Sequence, residues 1–357
     1  MKLPKKILIA YVAFPPIAVD LKEAFESMGV EVKLFLASDI PVSYFHKLFC
    51  KRFTRWAWHL HLLSKDQALF LNHSKRWENV VADLLFLSYK EFNPDLLFFI
   101  HEPSYGGYGK KVLLKIGVPK IGWYVEPFED LPRLRNNSRF FDRYNSFHVH
   151  GVNQLAEEGI NAEYLCHAVN PKRFYPLPDE QPVFDICLVG NYSPWRDEVL
   201  KAALSVTNNV ALYGGGWLKK SNIRGETLAS IYKGQMIVGE ELNALFNSSK
   251  VVLSASRIRD SSGLNMRFFE VLGAGACYLT DAPPELSLHF KSDKHLVTFG
   301  SLEELTLKLR GLLDNSVRRK ELAQAGHQQV MAHHTYNQMA EKILHQYGVL
   351  MKKRDGE

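Results

Sequence analysis

The chain has 357 residues, 46% of them hydrophobic, and a formal net charge of +6. A chain of this length is too long for one ordinary hydrophobic core and predicts two domains. Its hydrophobic share indicates a globular protein and excludes a disordered or fibrous chain. No apolar run reaches the ~18 residues that a membrane span needs. The apolar start of the chain contains Pro15 and Pro16, so we interpret it as a buried strand rather than a signal peptide. The basic excess favours anionic ligands.

Strand and helix patterns alternate through residues 1–166, which predicts a Rossmann-like, doubly wound domain with a parallel sheet. A helical insertion interrupts the series over residues 41–92. Its segment 44–63 is aromatic and basic, which suits either a helix on an anionic membrane surface or a helix packed on its own domain. We favour the second interpretation because one apolar face is the usual state of a globular helix.

Residues 167–182 contain four prolines and no periodicity, which indicates an interdomain linker. A second α/β series over residues 183–335 predicts another domain of the same class. Residues 336–357 form a terminal helix pattern. The four cysteines lie far apart, without metal-ligand spacing, and we expect reduced core residues in a cytoplasmic protein. They are Cys50, Cys166, Cys187 and Cys277.

The most informative stretch is RIRDSSGLNMRFFEVLGAGACYLTD, residues 257–281. A strand pattern precedes it, and short side chains between Arg259 and Gly263 leave backbone amides bare at the start of a helix. Such a helix start binds anions, and diphosphate is the expected ligand. Helical spacing places Glu270 on the same stripe as Arg267, about 10 Å along the axis from Gly263, within reach of a ribose.

This stretch resembles the donor-site motif of GT-B glycosyltransferases, in the branch related to the spore-maturation protein CgeB. Larger family-four relatives carry two glutamates with seven residues between them. Glu270 matches the second, which holds the ribose of the nucleotide sugar, whereas Ser262 stands in place of the first. Asn265, Arg267 and Glu270 resemble the CgeB-like version. Ser262, Gly263 and Leu264 of the preceding loop are further candidates for binding the nucleotide sugar.

The resemblance implies two Rossmann-like domains facing a cleft, with the nucleotide sugar in the C-terminal domain and the acceptor in the N-terminal domain. It also implies that the last helix crosses back onto the first domain. Tyr213 and Gly214 match the family's YG phrase, and the backbone of Met236 or Ile237 is expected beside the nucleobase. His333 and His334 resemble an HTY phrase, for which we expect a structural role.

Ligands of open α/β sheets bind beyond the carboxyl ends of the strands. Gly190 gives a tight turn after one such strand, and Arg196, which opens the next helix, is a candidate phosphate ligand. The alternative is a surface arginine that pairs with Asp197 or Glu198. No aspartate-rich metal motif accompanies the site, so we expect metal-independent chemistry in which Arg196, Arg267 and helix amides supply the positive charge.

Three polar residues follow apolar strands of the N-terminal half and are candidates for catalysis or acceptor binding: His101, Glu102 and Glu126. His148 and His150 alternate in the strand-like segment NSFHVHG. They would permit a metal pair in principle, but without a third ligand we favour core or cleft histidines.

The sequence therefore predicts a glycosyltransferase of hexosyltransferase type that moves a sugar from a nucleotide-diphosphate sugar to an unknown glycan, protein or lipid-linked acceptor. By resemblance the reaction retains the anomeric configuration. The alternatives are a sugar-nucleotide epimerase or hydrolase of the same fold, and a non-catalytic nucleotide-sugar-binding protein of envelope or spore-coat assembly. We expect no cofactor and no nucleic-acid partner, and a location in the cytoplasm, with contact at the inner face of the membrane as an option.

Overall fold

The computed structural model describes residues 3–11, 15–37, 56–57, 59–60, 62, 75–101, 107–125, 131–178, 181–223, 225–257 and 262–356. Within these ranges the chain forms two α/β domains, each built on a six-stranded parallel sheet. The predicted pair of doubly wound parallel-sheet domains is confirmed.

The first sheet has the strand order β2-β1-β3-β4-β5-β6. Its strands are β1 Lys6–Tyr11, β2 Glu31–Leu36, β3 Leu96–Ile100, β4 Lys120–Tyr124, β5 Arg143–Ser146 and β6 Ala162–Tyr164. The helices between them are α1 Pro15–Ser27, α2 Lys75–Phe92, α3 Gly107–Leu114, α4 Leu131–Ser138 and α5 Val149–Glu157. β3 reads LLFFI and is buried throughout, as a strand covered by helices on both faces requires.

The second sheet has the order β12-β11-β10-β7-β8-β9. Its strands are β7 Phe184–Val189, β8 Val210–Tyr213, β9 Tyr232–Gly234, β10 Ser249–Ser254, β11 Tyr278–Asp281 and β12 Val297–Phe299. The intervening helices are α6 Pro194–Leu204, α7 Trp217–Lys220, α8 Gly225–Ile231, α9 Gly239–Asn247, α10 Met266–Gly273 and α11 Leu286–His289. Three helices complete the chain: α12 Leu302–Asp314, α13 Ser316–His333 and α14 Tyr336–Asp355.

The last helix, α14, packs on the N-terminal domain. Thr335 and Gln338 form a capping box that starts it, and its apolar face shares a core with Ile7 and Ile9 of β1. The buried amides of Gln346 and Asn145 in β5 exchange hydrogen bonds of 2.8 and 3.1 Å. The chain therefore crosses between the domains twice, through the proline-rich linker and again before α14.

The strand predicted at NSFHVHG is shorter than expected. β5 ends at Ser146, and the Ser146 hydroxyl accepts a hydrogen bond from the His148 amide at 3.2 Å. His148 is the N-cap of α5, and the helical spacing of Val152 and Leu155 buries that helix on the sheet. The prediction that His148 and His150 alternate on a strand is wrong, because the helix begins between them.

Most of the aromatic, basic segment 44–63 lies outside the described residues, so its two interpretations stay predictions. Among the helices that are described, none combines the length and apolar character needed to cross a membrane.

Replacing Ile343 with alanine should destabilise the protein through the contact between α14 and the first sheet. Ile343 is fully buried in the core around β1, and a large-to-small change at such a site costs about 2–5 kcal/mol of unfolding free energy. Lys352→Ala, on the exposed face of the same helix, should change it by no more than about 0.5 kcal/mol. Urea denaturation followed by tryptophan fluorescence measures both, and equal effects would contradict the crossing.

Candidate functional site

The loops after β7 and β8 lie together at the carboxyl edge of the second sheet. The Gly190 amide donates to the Tyr213 carbonyl at 2.9 Å, and the indole of Trp217 donates to the Gly190 carbonyl at 2.8 Å. A Cβ on Gly214, which has φ +145°, would lie 2.0 Å from the Gly190 oxygen. The Gly190 backbone therefore packs directly against Gly214, which a side chain at residue 214 would prevent. The two turns form one surface.

Arg196 is turned back over this surface. Ser193 caps α6, so Arg196 lies in its first turn, and the guanidinium donates to the carbonyls of Ala255 at 2.8 Å and Asn191 at 2.9 Å. The predicted alternative of a surface pair with Asp197 is wrong, because Asp197 is buried and accepts hydrogen bonds from Ser221 and the Asn222 amide.

Positive charge is concentrated beside Arg196. Burial lowers the pKa of Arg196 to about 10, with Asp281 opposing the shift and the cations Arg267 and Arg257 adding to it. The group still carries its charge at neutral pH. Guanidinium groups that are partly buried and close together are well suited to an anionic ligand.

The start of α10 offers backbone donors, and Arg267 lies in its first turn. Asn265 is the N-cap, and its side chain accepts from the Arg267 amide at 2.9 Å. Within the described chain the amides of Leu264, Asn265 and Met266 donate to no protein acceptor. They are the donors that a phosphate group would use at a helix start.

A carboxylate already occupies one position at this helix start. The Gly263 amide donates to Glu285 at 2.7 Å, and the Glu285 side chain is buried. No local sequence pattern marks Glu285 as part of this site, because the residue follows β11 and only the fold brings its side chain to the loop. The preceding loop residues 258–261 lie outside the described chain, so their predicted polarity stays a prediction.

Glu270 lies on the face of α10 that points toward the N-terminal domain. Its carboxylate accepts from Arg267 at 2.7 Å and is only 7% exposed. Burial raises the pKa of Glu270, with Arg267 opposing this effect and Asp20 of α1 adding to it. Because Asp20 belongs to the other domain, Glu270 faces the region between the domains, and α10 is not a surface helix.

The loop before α10 contacts the N-terminal domain directly. The Ser262 hydroxyl lies 3.0 Å from Nδ1 of His148, and a Cβ on Gly263 would come within 2.5 Å of the Phe147 ring. His148 is 1% exposed, so the expectation of a core or cleft histidine agrees with its position. The sequence pattern does not predict this contact with the donor loop. The available signal is that His148, like His101, closely follows the carboxyl end of a strand.

On the acceptor side, His101 follows β3 in a left-handed conformation with φ +50°. Its ring lies 6.2 Å from the Tyr124 ring, which in turn lies 6.3 Å from the His148 ring. The two histidines therefore lie on either side of Tyr124 at the carboxyl edge of the first sheet. The other two candidates, Glu102 and Glu126, lie outside the described residues, and their roles stay predictions.

The predicted nucleobase segment follows β9. Met236 is 77% exposed, whereas Ile237 is 9% exposed and belongs to the core. The Gly234 carbonyl accepts from the Gly214 amide at 2.9 Å, and the Tyr213 ring lies against Gly234. Met236 therefore stands at the open end of the same surface that Gly190 and Gly214 form.

Comparison with known proteins agrees with this geometry. Residues 192–345 match the family described as glycosyl transferase-like. No curated protein matches the sequence. Solved structures similar to this chain include sucrose-phosphate synthase from Thermosynechococcus elongatus, with 12% identity and a TM-score of 0.66; the match covers 98% of this chain and 100% of the synthase. HepE from Anabaena, in complex with UDP and glucose, has 10% identity and a TM-score of 0.67, with 97% of this chain and all of HepE covered.

These similarities define the class of the protein. Identities this low show the fold, which is GT-B, with two Rossmann-like domains. The family match adds that residues 192–345, in the C-terminal domain, are similar to glycosyl transferase-like domains. The prediction of an enzyme of the glycosyltransferase class is confirmed at this level, while the CgeB-like branch stays a prediction.

Gly263→Ala should cost more stability than the same change at Gly239. Both residues have positive φ, +91° and +61°, but only Gly263 has a neighbour in the way, since nothing lies within 4 Å of a Cβ at Gly239. The left-handed conformation alone costs about 1–2 kcal/mol for an alanine. The clash with the buried Phe147 ring should add at least about 1 kcal/mol of unfolding free energy.

Chemical denaturation of the two variants side by side measures this difference. Equal losses of stability would mean that the loop does not lie against Phe147 in solution.

Proposed function

We propose that the protein transfers a sugar from a nucleotide-diphosphate sugar to an acceptor hydroxyl, without a metal ion and with retention at the anomeric carbon. The observation that carries this proposal is the combination at α10. Three amides at its start donate to no acceptor among the described residues. Arg267 in its first turn lies near Arg196, and a buried carboxylate faces the opposite domain.

The donor's diphosphate would bind the amides of residues 264–266 together with Arg196 and Arg267. Glu270 would accept hydrogen bonds from the two ribose hydroxyls, since an ionised carboxylate is an acceptor only. The base would lie beside the backbone of Met236 and Ile237. A uridine nucleotide is our first choice of donor, because HepE has been solved with UDP and with UDP-glucose.

In the transfer step the bond between the anomeric carbon and the phosphate oxygen breaks, and the acceptor oxygen forms a bond to that carbon. The leaving nucleoside diphosphate gains negative charge, which Arg196, Arg267 and the helix amides would stabilise as it develops. The acceptor hydroxyl loses its proton to a base in the cleft, for which His101, Glu102 and Glu126 are the candidates.

His148, which belongs to the N-terminal domain, is our candidate for the residue that faces the transferred sugar. Its imidazole touches Ser262, and Ser262 stands where larger relatives are expected to carry their first glutamate. We therefore assign to the Ser262 and His148 pair the position of that glutamate. The motif of Asn265, Arg267 and Glu270 supports placing the chain in the CgeB-like branch.

Glu270→Gln should abolish most of the stabilisation that the correct donor gives. At 100-fold excess over its dissociation constant, a ligand adds about 2.7 kcal/mol to the stability of the folded state. The glutamine keeps the side-chain shape but replaces one of two acceptor oxygens with a donor. Thermal-shift measurements over UDP-, GDP- and ADP-sugars provide the test.

Glu321→Gln, at an exposed position of α13, is the matched control and should respond as the natural chain does. An undiminished shift in Glu270→Gln would remove the ribose assignment.

His148→Ala should slow turnover at least about tenfold, which corresponds to about 1.4 kcal/mol of transition-state stabilisation, while donor affinity changes little. His150→Ala is the control, because His150 is exposed and its ring bonds Gln154 on the outer side of α5. Release of nucleoside diphosphate from the donor, with and without candidate acceptors, reports turnover. Equal rates for the two variants would contradict the role of His148.

A further inference from the structure

Three potential metal ligands from distant parts of the chain meet where the domains are joined. Cys166 follows β6 at the end of the first domain, His289 ends α11 in the second domain, and His334 lies between α13 and α14. One ligand atom of each lies within 4.8 Å of the others. Sγ of Cys166 lies 3.6 Å from Nδ1 of His334.

These distances suit a tetrahedral ion. With metal–sulfur and metal–nitrogen bonds of about 2.3 and 2.0–2.1 Å, tetrahedral zinc places its ligand atoms roughly 3.4–3.6 Å apart. The Cys166–His334 edge already has that length. The two edges to His289 are at most 4.8 Å, so a side-chain movement of about 1 Å, which small rotations of the half-buried histidine supply, closes them.

The ligand types suit a zinc-class ion, which takes imidazole nitrogen and cysteine sulfur. Burial raises the pKa of Cys166 to about 11, with Lys342 opposing the shift. A bound metal would displace the thiol proton, as metal binding to cysteine generally does.

The ligands are supported by neighbouring groups. Tyr164 stacks on the His289 ring at 5.5 Å, and its hydroxyl lies 2.8 Å from Nε2 of His289. The His334 amide donates to Val330, and its carbonyl accepts from Val169 at 2.9 Å. Such outer contacts orient metal ligands and are typical of metal sites.

An open cavity of about 510 Å³ borders the cluster, and His289 and His334 are among its lining residues. Solvent ions can therefore reach the two histidines, and a water could complete the coordination. Lys342 also lines this cavity. Its ammonium repels a cation but favours the thiolate, and the thiolate is the ligand that a zinc-class ion prefers.

We propose that Cys166, His289 and His334 bind one zinc-class divalent cation, which ties the end of the first domain, the second domain and the start of α14 together. The site is separate from the sugar-transfer chemistry, and no step of that reaction passes through it. Its function is structural: it would fix the two chain crossings relative to each other.

The test is a titration of the chelator-treated full-length protein with ZnCl₂ by calorimetry, and with CoCl₂ by absorption spectroscopy. We expect one ion per chain and a sulfur-to-cobalt charge-transfer band. Cys166→Ser should lose that band, and both Cys166→Ser and His289→Gln should weaken zinc binding at least about 100-fold. His289 is half-buried, so His289→Gln tests the site even if Cys166→Ser folds poorly.

His333→Ala and His345→Ala are the matched controls, because both residues line the same cavity, are exposed and lie outside the cluster. Both should bind zinc as the natural chain does. Absence of binding to the natural chain would overturn the proposal. So would an unchanged charge-transfer band in Cys166→Ser, or equal losses in the controls, which would place the ion on exposed histidines.

Discussion

The contact between Gly263 and the Phe147 ring is the constraint on which the candidate site depends. A Cβ at Gly263 would lie 2.5 Å from that ring, so the loop reaches the opposite domain only because residue 263 lacks a side chain. The same approach brings the Ser262 hydroxyl to His148. It places the start of α10 at the boundary between the two sheets, where one ligand can touch both domains.

The two chain crossings limit how the domains can move around this contact. They run side by side, since Val169 of the linker bridges to Thr335 just before α14. Arg173 of the linker also pairs with Asp20 at 2.5 Å and Glu23 at 2.8 Å in α1. These contacts make the double connection the natural axis for any rotation between the domains. If the proposed donor binds in the cleft, closure about this axis would exclude water, which favours transfer over hydrolysis.

Much of the fold follows from local patterns in the sequence. Continuous apolar runs such as LLFFI mark buried parallel strands, and helical spacing alone places Glu270 and Arg267 on one stripe of α10. The same spacing leads to their observed ion pair of 2.7 Å. The predicted strand at His148 and His150 is wrong because a short strand and the first turn of a helix give the same local pattern over a few residues.

The remaining features of the site depend on contacts between distant segments, and no local pattern encodes them. Glu285 reaches the Gly263 amide only through the pairing of β10 with β11. Arg196 could equally have faced solvent, and its inward turn depends on the carbonyl of Ala255 in another loop. Cys166 and its two histidines have no recognisable spacing, because they meet only when both domains are assembled.

A crystal structure of the protein with UDP-glucose, or with whichever nucleotide sugar stabilises it most, would locate the donor. We expect the diphosphate at the amides of residues 264–266 and Arg196, and the ribose hydroxyls on Glu270. A nucleotide bound elsewhere, or a ribose that does not contact Glu270, would contradict this placement.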